Sequence, residues 1–327
     1  MAHVNDLAFV GSTLVRTQRS LGVDATLVLP WRPGARLRYP WKAAALPFRA
    51  AAIVGAGLRL RAMAPDLGHV HYARLGMLGW LSGRPFVVHC HGTDVRGVRP
   101  GTPWGREVAP ILRAARAVYY ATPDLGPDVH AFRHDAVFIP NPIDLPPERA
   151  VDPAPSVDLL VGARLEPIKG VDTIAEIVGR VLGARPDTSI TILDQGPDVA
   201  KVVAAAGERG HLIAPVPHDE VPALVRRHRL VIGQVRVGAL GNFELEALAA
   251  GRPVAASFRH PEAYDVAPPV VDGGSAADVA DRIVGLLDDE PARAELGALG
   301  RRWVHGHHDP LTIATDLVAE YARILSS

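Results

Sequence analysis

Short apolar segments alternate along the chain with longer segments whose apolar residues recur at helical spacing. This alternation is typical of parallel sheets that are covered by helices on both faces. After a short first strand, the first half has predicted strands at 25–29, 67–71, 86–90, 117–120 and 137–140. In the second half they fall at 157–161, 189–193, 211–213, 230–233, 254–256 and 270–271. The pattern therefore predicts two doubly wound α/β halves.

A proline-rich segment, PNPIDLPPERAVDPAPS at 140–156, separates the two halves. Its prolines block both a helix and a central strand, and the length of 327 residues favours two domains. We expect one Rossmann-like domain at 1–145 and a second at 155–308. Helical spacing at 310–325 follows the predicted loop HGHHDP, so we expect a terminal helix, within about 309–327, that joins the first domain.

The composition indicates a folded protein without disulfide bonds within the chain. Hydrophobic residues make up 48% and charged residues 21% of the chain, which excludes extensive disorder. Cys90 is the only cysteine, so neither an intramolecular disulfide nor a cysteine metal knuckle can form. No run of eighteen apolar residues and no signal-like N-terminus occur, and we expect a soluble cytoplasmic protein.

Charge is distributed unevenly between the halves. Residues 1–141 carry 17 Arg and Lys against 8 Asp and Glu, whereas the remainder carries 18 against 27. A basic half attracts anionic ligands or an anionic membrane surface, and no motif supports nucleic acid. Trp31–Arg61 combines aromatic and basic residues, which predicts peripheral contact with the inner face of a membrane or with an anionic acceptor. A solvated loop followed by a helix packed on its own domain is the alternative. The residues concerned are Trp31, Tyr39, Trp41, Phe48, Arg32, Arg36, Arg38, Lys42, Arg49, Arg59 and Arg61.

Two cations follow a predicted buried strand in the second half. The segment GARLEPIKG places Arg164 and Lys169 between the strand at 157–161 and a predicted helix at 171–182. Ligands of open α/β sheets bind at the carboxyl ends of the strands. Fixed cations there can neutralise a departing diphosphate. A solvated surface loop is the alternative for this motif taken alone.

A glycine-rich loop precedes a later helix in the same half. Gly238, Ala239, Leu240 and Gly241 lie before a predicted helix that carries Glu246 and ends before Pro253. Glycines allow close approach of a ligand to the backbone, and free amides at a helix N-terminus favour phosphate or sugar hydroxyls. A carboxylate on that helix can accept hydrogen bonds from a ribose diol, as in dinucleotide-binding folds.

These segments resemble the motifs of glycosyltransferase family 4. VGARLEPIKGVDTI is similar to the Gly-Arg-Leu-x-x-x-Lys-Gly element and ELEALAAGRPVAA to the Glu-Ala-Met-Ala-x-Gly-x-Pro-Val element of that family. VVHCHGTDVR, IPNPID and ILDQGP are similar to three further elements. Five matches in family order, over about 86–256, imply a retaining transferase of the GT-B fold, with two Rossmann-like domains facing across a cleft and a terminal helix crossing back to the first.

The resemblance implies roles for particular residues. Arg164 and Lys169 would grip the diphosphate of a nucleoside-diphosphate sugar, and Glu246 would hold its ribose. His91 would lie beside the transferred sugar. The implied reaction moves the sugar to an acceptor hydroxyl of a small molecule, a glycan or a lipid-linked sugar. No metal and no other cofactor is expected, which agrees with the absence of an Asp-x-Asp pair.

Other implied contacts are looser. Asp94 and Asn141 would border the substrate cleft. Gly11 lies in the segment 10–13, a predicted loop whose amides would reach the donor, with Ser12 or Thr13 capping the next helix. A sugar-nucleotide epimerase or hydrolase of the same fold, or a catalytically reduced binding protein, is the alternative function.

One position departs from the family pattern. A second glutamate usually stands eight residues before the ribose-binding one, facing the donor sugar, and that position is Gly238. Gln234 and Glu244 are the two candidates to replace it. The sequence names neither the nucleobase, the sugar nor the oligomeric state.

Several motifs favour structural interpretations. The segment 53–60 imitates a dinucleotide fingerprint but lacks its third glycine and follows a helix-like segment. The His-x-His pairs at 69–71 and 89–91 each put two rings on one face of a strand, yet a zinc site needs a third ligand, and strand-end histidines are the favoured interpretation. The histidines at 305, 307 and 308 are predicted to lie in a solvated loop.

Overall fold

The computed structural model describes residues 1–31, 41–146 and 155–326, and these form two units. The first unit is Met1–Pro142 with Pro310–Ser327, and the second is Ile143–Asp309. Each contains one parallel sheet between layers of helices.

The first unit has a six-stranded sheet in the order β2-β1-β3-β4-β5-β6. Its strands are β1 Ala2–Val4, β2 Thr26–Val28, β3 Gly68–His71, β4 Phe86–Cys90, β5 Val118–Tyr120 and β6 Val137–Phe138. Its helices are α1 Val10–Ser20, α2 Trp41–Ala44, α3 Leu46–Met63, α4 Met77–Ser82, α5 Pro103–Ala114, α6 Gly126–His130 and, from the end of the chain, α13 Pro310–Ser326.

The second unit has a five-stranded sheet in the order β11-β10-β7-β8-β9. Its strands are β7 Val157–Val161, β8 Ile190–Leu193, β9 Gly210–Ile213, β10 His228–Ile232 and β11 Val254–Ala255. Its helices are α7 Val171–Ala184, α8 Val199–Ala206, α9 Val221–Arg226, α10 Asn242–Ala249, α11 Ala276–Asp288 and α12 Glu290–His308.

Both central strands carry apolar residues on each face because helices cover both sides of the sheet. In β7, Leu159 and Val161 face one core and Leu160 faces the other, and all three are fully buried. In β4, Val88 packs on one side, while Val87 packs on the side that carries α1 and α13. The predicted fold class, two doubly wound α/β domains, is confirmed.

Three details differ from or qualify the sequence expectation. The predicted strand at 270–271 forms only an isolated bridge, in which Val271 pairs with Ala255. The predicted loop at 305–308 is wrong, since these residues end α12. His308 is buried there, and its Nε2 contacts the Tyr264 hydroxyl at 3.1 Å, so this residue packs into the interior instead of facing solvent. The segment 53–60, which imitates a nucleotide fingerprint, lies within α3.

Among the described residues, none of the helices combines the length and the apolar character that crossing a membrane requires.

Candidate active site

Arg164 and Lys169 line one pocket at the carboxyl end of β7. The cavity has a volume of about 200 Å³ and lies within the second unit. Arg164 is the third residue after β7, and Lys169 ends a 3-10 turn, Pro167–Lys169, that leads into α7. The other lining residues come from the same loop, from two neighbouring loops and from the first turn of α10: Gly162, Ala163, Gln195, Gln234, Gly241, Asn242, Phe243 and Glu244.

The two cations keep most of their donors available. Arg164 Nε donates to Glu166 Oε2 at 3.1 Å, and its side chain is 61% exposed. The described residues provide no ion-pair partner for Lys169, and its backbone carbonyl accepts a hydrogen bond from Val235 N at 3.1 Å, which fixes the turn. Two carboxylates lie nearby: Glu166 pairs with Arg164, whereas Glu244, which also lines the pocket, accepts from two backbone amides. Lys169 is therefore left to attract an anionic ligand.

Glu244 caps the helix that faces this pocket. Its Oε2 accepts a hydrogen bond from Gly241 N, and its Oε1 accepts one from Gln234 N, both at 2.8 Å. The Gln234 side chain accepts from Val237 N at 2.8 Å and donates to the Ala239 carbonyl. Both side chains thus hold the loop between β10 and α10. That one of them faces a donor sugar stays a prediction.

The glycine-rich loop contributes one residue to the pocket, Gly241. Ala239 and Leu240 are 2% and 5% exposed and pack into the interior. Gly238 has a φ of 82°, and a Cβ there would lie 3.2 Å from the Arg259 side chain. A glutamate at this position would be strained in this backbone conformation.

Sequence reasoning missed Phe243, whose ring lies against Gly162. A Cβ on Gly162 would lie 1.9 Å from that ring, so the pocket wall requires glycine at the end of β7. No pattern in the sequence pairs these two residues, because they are 81 positions apart.

Glu246 lies farther along α10 and is not among the residues that line the pocket. Its Oε1 contacts His218 Nε2 at 2.9 Å. Burial raises the pKa of Glu246, and the contact with His218 acts in the opposite direction. His218 stands in a 3-10 turn before α9 and carried no sequence signal of its own.

In the first unit, Asp94 holds the turn that carries His91. Asp94 is fully buried, and its carboxylate accepts hydrogen bonds from Gly92 N at 2.8 Å, His91 N at 3.1 Å and Ala73 N at 2.8 Å. Burial raises the pKa of Asp94, while these amides oppose the shift. His91 follows β4 directly and is partly exposed, and Asn141 is buried after β6.

Gly11 occupies a helix, and the prediction of a loop at 10–13 is wrong. The helix α1 begins at Val10, and Phe9 precedes it with a φ of 65°. The side chain of Asp6, instead of that of Ser12 or Thr13, caps a backbone amide of the first turn, since Asp6 Oδ1 accepts a hydrogen bond from Ser12 N at 3.0 Å. A Cβ on Gly11 would lie 2.6 Å from the Asn5 carbonyl oxygen, so this glycine lets the helix pack closely on the preceding loop.

The described part of the Trp31–Arg61 region is an exposed apolar surface interspersed with arginines. Trp41, Leu46, Phe48 and Leu58 are 69%, 59%, 64% and 59% exposed. The prediction of membrane or acceptor contact also named Arg32, Arg36, Arg38 and Tyr39, which lie outside the described residues, and Lys42, whose side chain is not described.

Two parallel α/β units of these strand orders are typical of the GT-B fold. Family models identify the group within it: "Glycosyltransferase Family 4" matches residues 12–146, and "Glycosyl transferases group 1" matches residues 156–289. The chain belongs to glycosyltransferase family 4.

Curated relatives match parts of the chain. A GDP-mannose-dependent monoacylated alpha-(1-6)-phosphatidylinositol monomannoside mannosyltransferase of Corynebacterium glutamicum is 32% identical over 43% of the chain and 41% of its own length. A D-inositol 3-phosphate glycosyltransferase 1 of Catenulispora acidiphila is 27% identical over 70% of the chain and 65% of its own length. The chain therefore spans less than two thirds of these relatives.

Solved structures share the fold over nearly the whole chain. Anabaena HepE in complex with UDP and glucose has a TM-score of 0.75 at 13% identity, covering 98% of this chain and 99% of that one. Sucrose-phosphate synthase of Thermosynechococcus elongatus has a TM-score of 0.73 at 16% identity, covering 99% and 98%.

Proposed function

We propose that the protein is a retaining glycosyltransferase that moves a sugar from a nucleoside-diphosphate donor to an acceptor hydroxyl. The observation that carries the proposal is the pocket in which Arg164 and Lys169 meet the N-terminal turn of α10. Two side-chain cations beside a helix N-terminus are groups that stabilise a diphosphate, and family 4 membership agrees with that use.

The chemistry follows from charge and position. As the bond between sugar and phosphate breaks, negative charge develops on the diphosphate, and Arg164 and Lys169 stabilise it without a divalent cation. The departing phosphate oxygen lies on the same face as the incoming hydroxyl and takes its proton, so the anomeric configuration is retained. His91 lies beside the sugar in this scheme, on the turn that Asp94 holds.

Glu246 binds the ribose in the same scheme. Its carboxylate accepts hydrogen bonds from the two ribose hydroxyls, and His218 orients it through the contact at 2.9 Å. An acidic residue about 20 positions after the phosphate-binding glycines performs this task in dinucleotide-binding folds.

The acceptor class comes from the relatives. Their names include a phosphatidylinositol monomannoside and D-inositol 3-phosphate, both of which contain a polyhydroxylated cyclohexane ring. We therefore propose a cyclitol acceptor, free or lipid-linked.

A ligand panel and product analysis test the transferase proposal. Nucleoside diphosphates and their sugars that bind only the native state raise its apparent melting temperature, and one base should stand out. The stabilising donor is then incubated with cyclitol acceptors, and the anomeric proton of the product is measured by NMR. A glycoside with the donor's configuration is expected. An epimer or free sugar without an acceptor, or an inverted glycoside, contradicts the proposal.

The exposed apolar surface of α2 and α3 supports a location at the inner face of the membrane. We expect the protein to co-sediment with anionic vesicles at low salt, because Phe48 and Leu58 insert while the basic half is attracted to the surface. Burying one such side chain contributes about 1.5–3 kcal/mol, so Phe48→Glu together with Leu58→Glu should weaken binding more than about tenfold.

Leu311→Glu provides the matched control. Leu311 is 52% exposed on α13 of the same unit, so it tests whether any new surface charge has the same effect. Binding that is unchanged in the double variant, or lost equally in the control, contradicts membrane contact through α3.

A further inference from the structure

Five histidines lie on one face of the first sheet. Parallel neighbours in register point to the same side, and His3 pairs with His69 while His71 pairs with His89. His91 continues the face two residues after His89. Four of the five are fully buried, and only His91 is partly exposed. The rings therefore form a buried layer that reaches the surface at the residue proposed to lie beside the sugar.

A continuous chain of hydrogen bonds runs through three of these rings. Gln18 on α1 contacts His3 Nε2 through its Oε1 at 2.8 Å. His3 Nδ1 contacts His71 Nε2 at 3.0 Å, and His71 Nδ1 contacts His91 Nε2 at 3.1 Å. Each ring uses one nitrogen toward each neighbour, so the chain is unbranched.

Neutral rings give this chain a fixed direction. Burial lowers the pKa of His3 to about 4 and that of His91 to about 3, and it lowers the pKa of His71 well below its usual value. A neutral imidazole has one donor and one acceptor nitrogen. Because the Gln18 oxygen only accepts, His3 donates from Nε2, which makes its Nδ1 an acceptor. His71 therefore donates from Nε2 to His3 Nδ1, and its own Nδ1 is an acceptor. His91 donates to that Nδ1 from Nε2, which leaves a lone pair on His91 Nδ1.

Metal chelation is the competing explanation for such a cluster. Two triplets, His3, His69 and His71 and then His71, His89 and His91, have ligand atoms within 4.8 Å of one another. In an N–H···N hydrogen bond, however, the two nitrogens point at each other, whereas two ligands must point at a common ion. The rings of His69 and His71 are stacked at 4.3 Å and 11° apart in plane, which also prevents convergence.

We propose that Gln18, His3 and His71 are positioning residues that hold His91 as the Nε2–H tautomer, so that its Nδ1 accepts a hydrogen bond. His91 Nδ1 would accept this hydrogen bond from a hydroxyl of the donor sugar or of the acceptor substrate, and this use depends on the proposed transferase function. The tautomer itself does not, because the bonds that set it lie within the first unit.

Imidazole NMR tests the tautomer directly. The full chain labelled with ¹⁵N-histidine gives long-range proton–nitrogen correlations that distinguish the two neutral tautomers, and His91→Gln assigns the signal. We expect the Nε2–H form of His91 in the wild type at pH 7.5. Gln18→Met keeps the volume but removes the acceptor, and we expect it to give a mixture of tautomers. Thr17→Val, on the same helix but outside the chain of bonds, should leave the tautomer unchanged.

Kinetics supply the second measurement. Loss of the preferred tautomer in Gln18→Met should lower kcat about twofold to tenfold with little change in the donor KM, as expected for one weakened hydrogen bond. A His91 signal with hydrogen on Nδ1, or an unchanged tautomer in Gln18→Met, overturns the proposal even if one variant folds poorly. Tetrahedral Co²⁺ absorption that appears with loss of the imidazole N–H signals also overturns it. If the predicted tautomers are observed but the protein lacks transferase activity, the positioning role of Gln18, His3 and His71 is supported and only the proposed function is contradicted.

Discussion

Arg164→Ala lowers the turnover of the donor sugar about 10²–10³-fold while the protein remains folded, because the variant removes one donor to a charge that develops in the transition state. The side chain is 61% exposed and contributes no packing that the fold needs, since its recorded contact is the pair with Glu166 at 3.1 Å. Steady-state kinetics with the donor found by the ligand panel measure the effect, and thermal unfolding checks the fold.

Arg180→Ala is the matched control for this variant. Arg180 lies on α7 of the same unit, is 51% exposed, and pairs with Glu176 at 2.9 Å, so it differs from Arg164 chiefly in lying outside the pocket. Its activity should stay within about twofold of wild type, as expected for a surface ion pair. Wild-type turnover in Arg164→Ala, or an equal loss in both variants, would exclude the assigned role of Arg164.

The sequence predicted the parts of this molecule whose signals are contiguous. Val157–Val161 has four apolar residues of five and forms β7 with the predicted boundaries, and Arg164 and Lys169 follow it within one short loop. Because ligands bind at the carboxyl ends of parallel strands, the strand prediction alone was enough to bring both cations to one pocket.

Features that depend on contacts between distant segments could not be predicted in this way. His218 meets Glu246 across 28 positions, and His3 joins His71 across 68. The third histidine that the two His-x-His pairs lacked comes from the first strand, which only the strand order places beside β3. The capping residues could not be predicted either. Glu244 accepts a hydrogen bond from Gly241 N before α10, and Asp6, instead of Ser12 or Thr13, accepts one from the first turn of α1.

The histidine layer makes the first unit sensitive to acid. Burial lowers the pKa of all five rings in the folded state, whereas the unfolded chain has the usual value of about 6.5. Above that pH both states are neutral and the layer contributes no pH dependence. Below it the unfolded state binds protons that the folded state excludes, so the free energy of unfolding falls as pH falls toward 4. Each proton contributes about 1.4 kcal/mol per pH unit, so five protons lower the free energy of unfolding by about 10 kcal/mol by pH 5, a value comparable with the usual stability of a domain.

Hydrogen exchange measured peptide by peptide between pH 8 and 4.5 separates the two units. We expect the peptides that contain β3 and β4 to lose protection near pH 5, ahead of those that contain β7 and β10.

The variant His89→Leu removes one titrating group from the layer. It places an apolar side chain at a site where neither ring nitrogen has a hydrogen-bond partner of good geometry among the described residues. Its acid transition should move lower by several tenths of a pH unit, because about 1.4 kcal/mol per pH unit of the dependence is lost. His211→Gln, an exposed histidine on β9, should not move it. Equal protection of β3 and β4 at pH 4.5 and pH 8 would show that the layer does not make the first unit sensitive to acid.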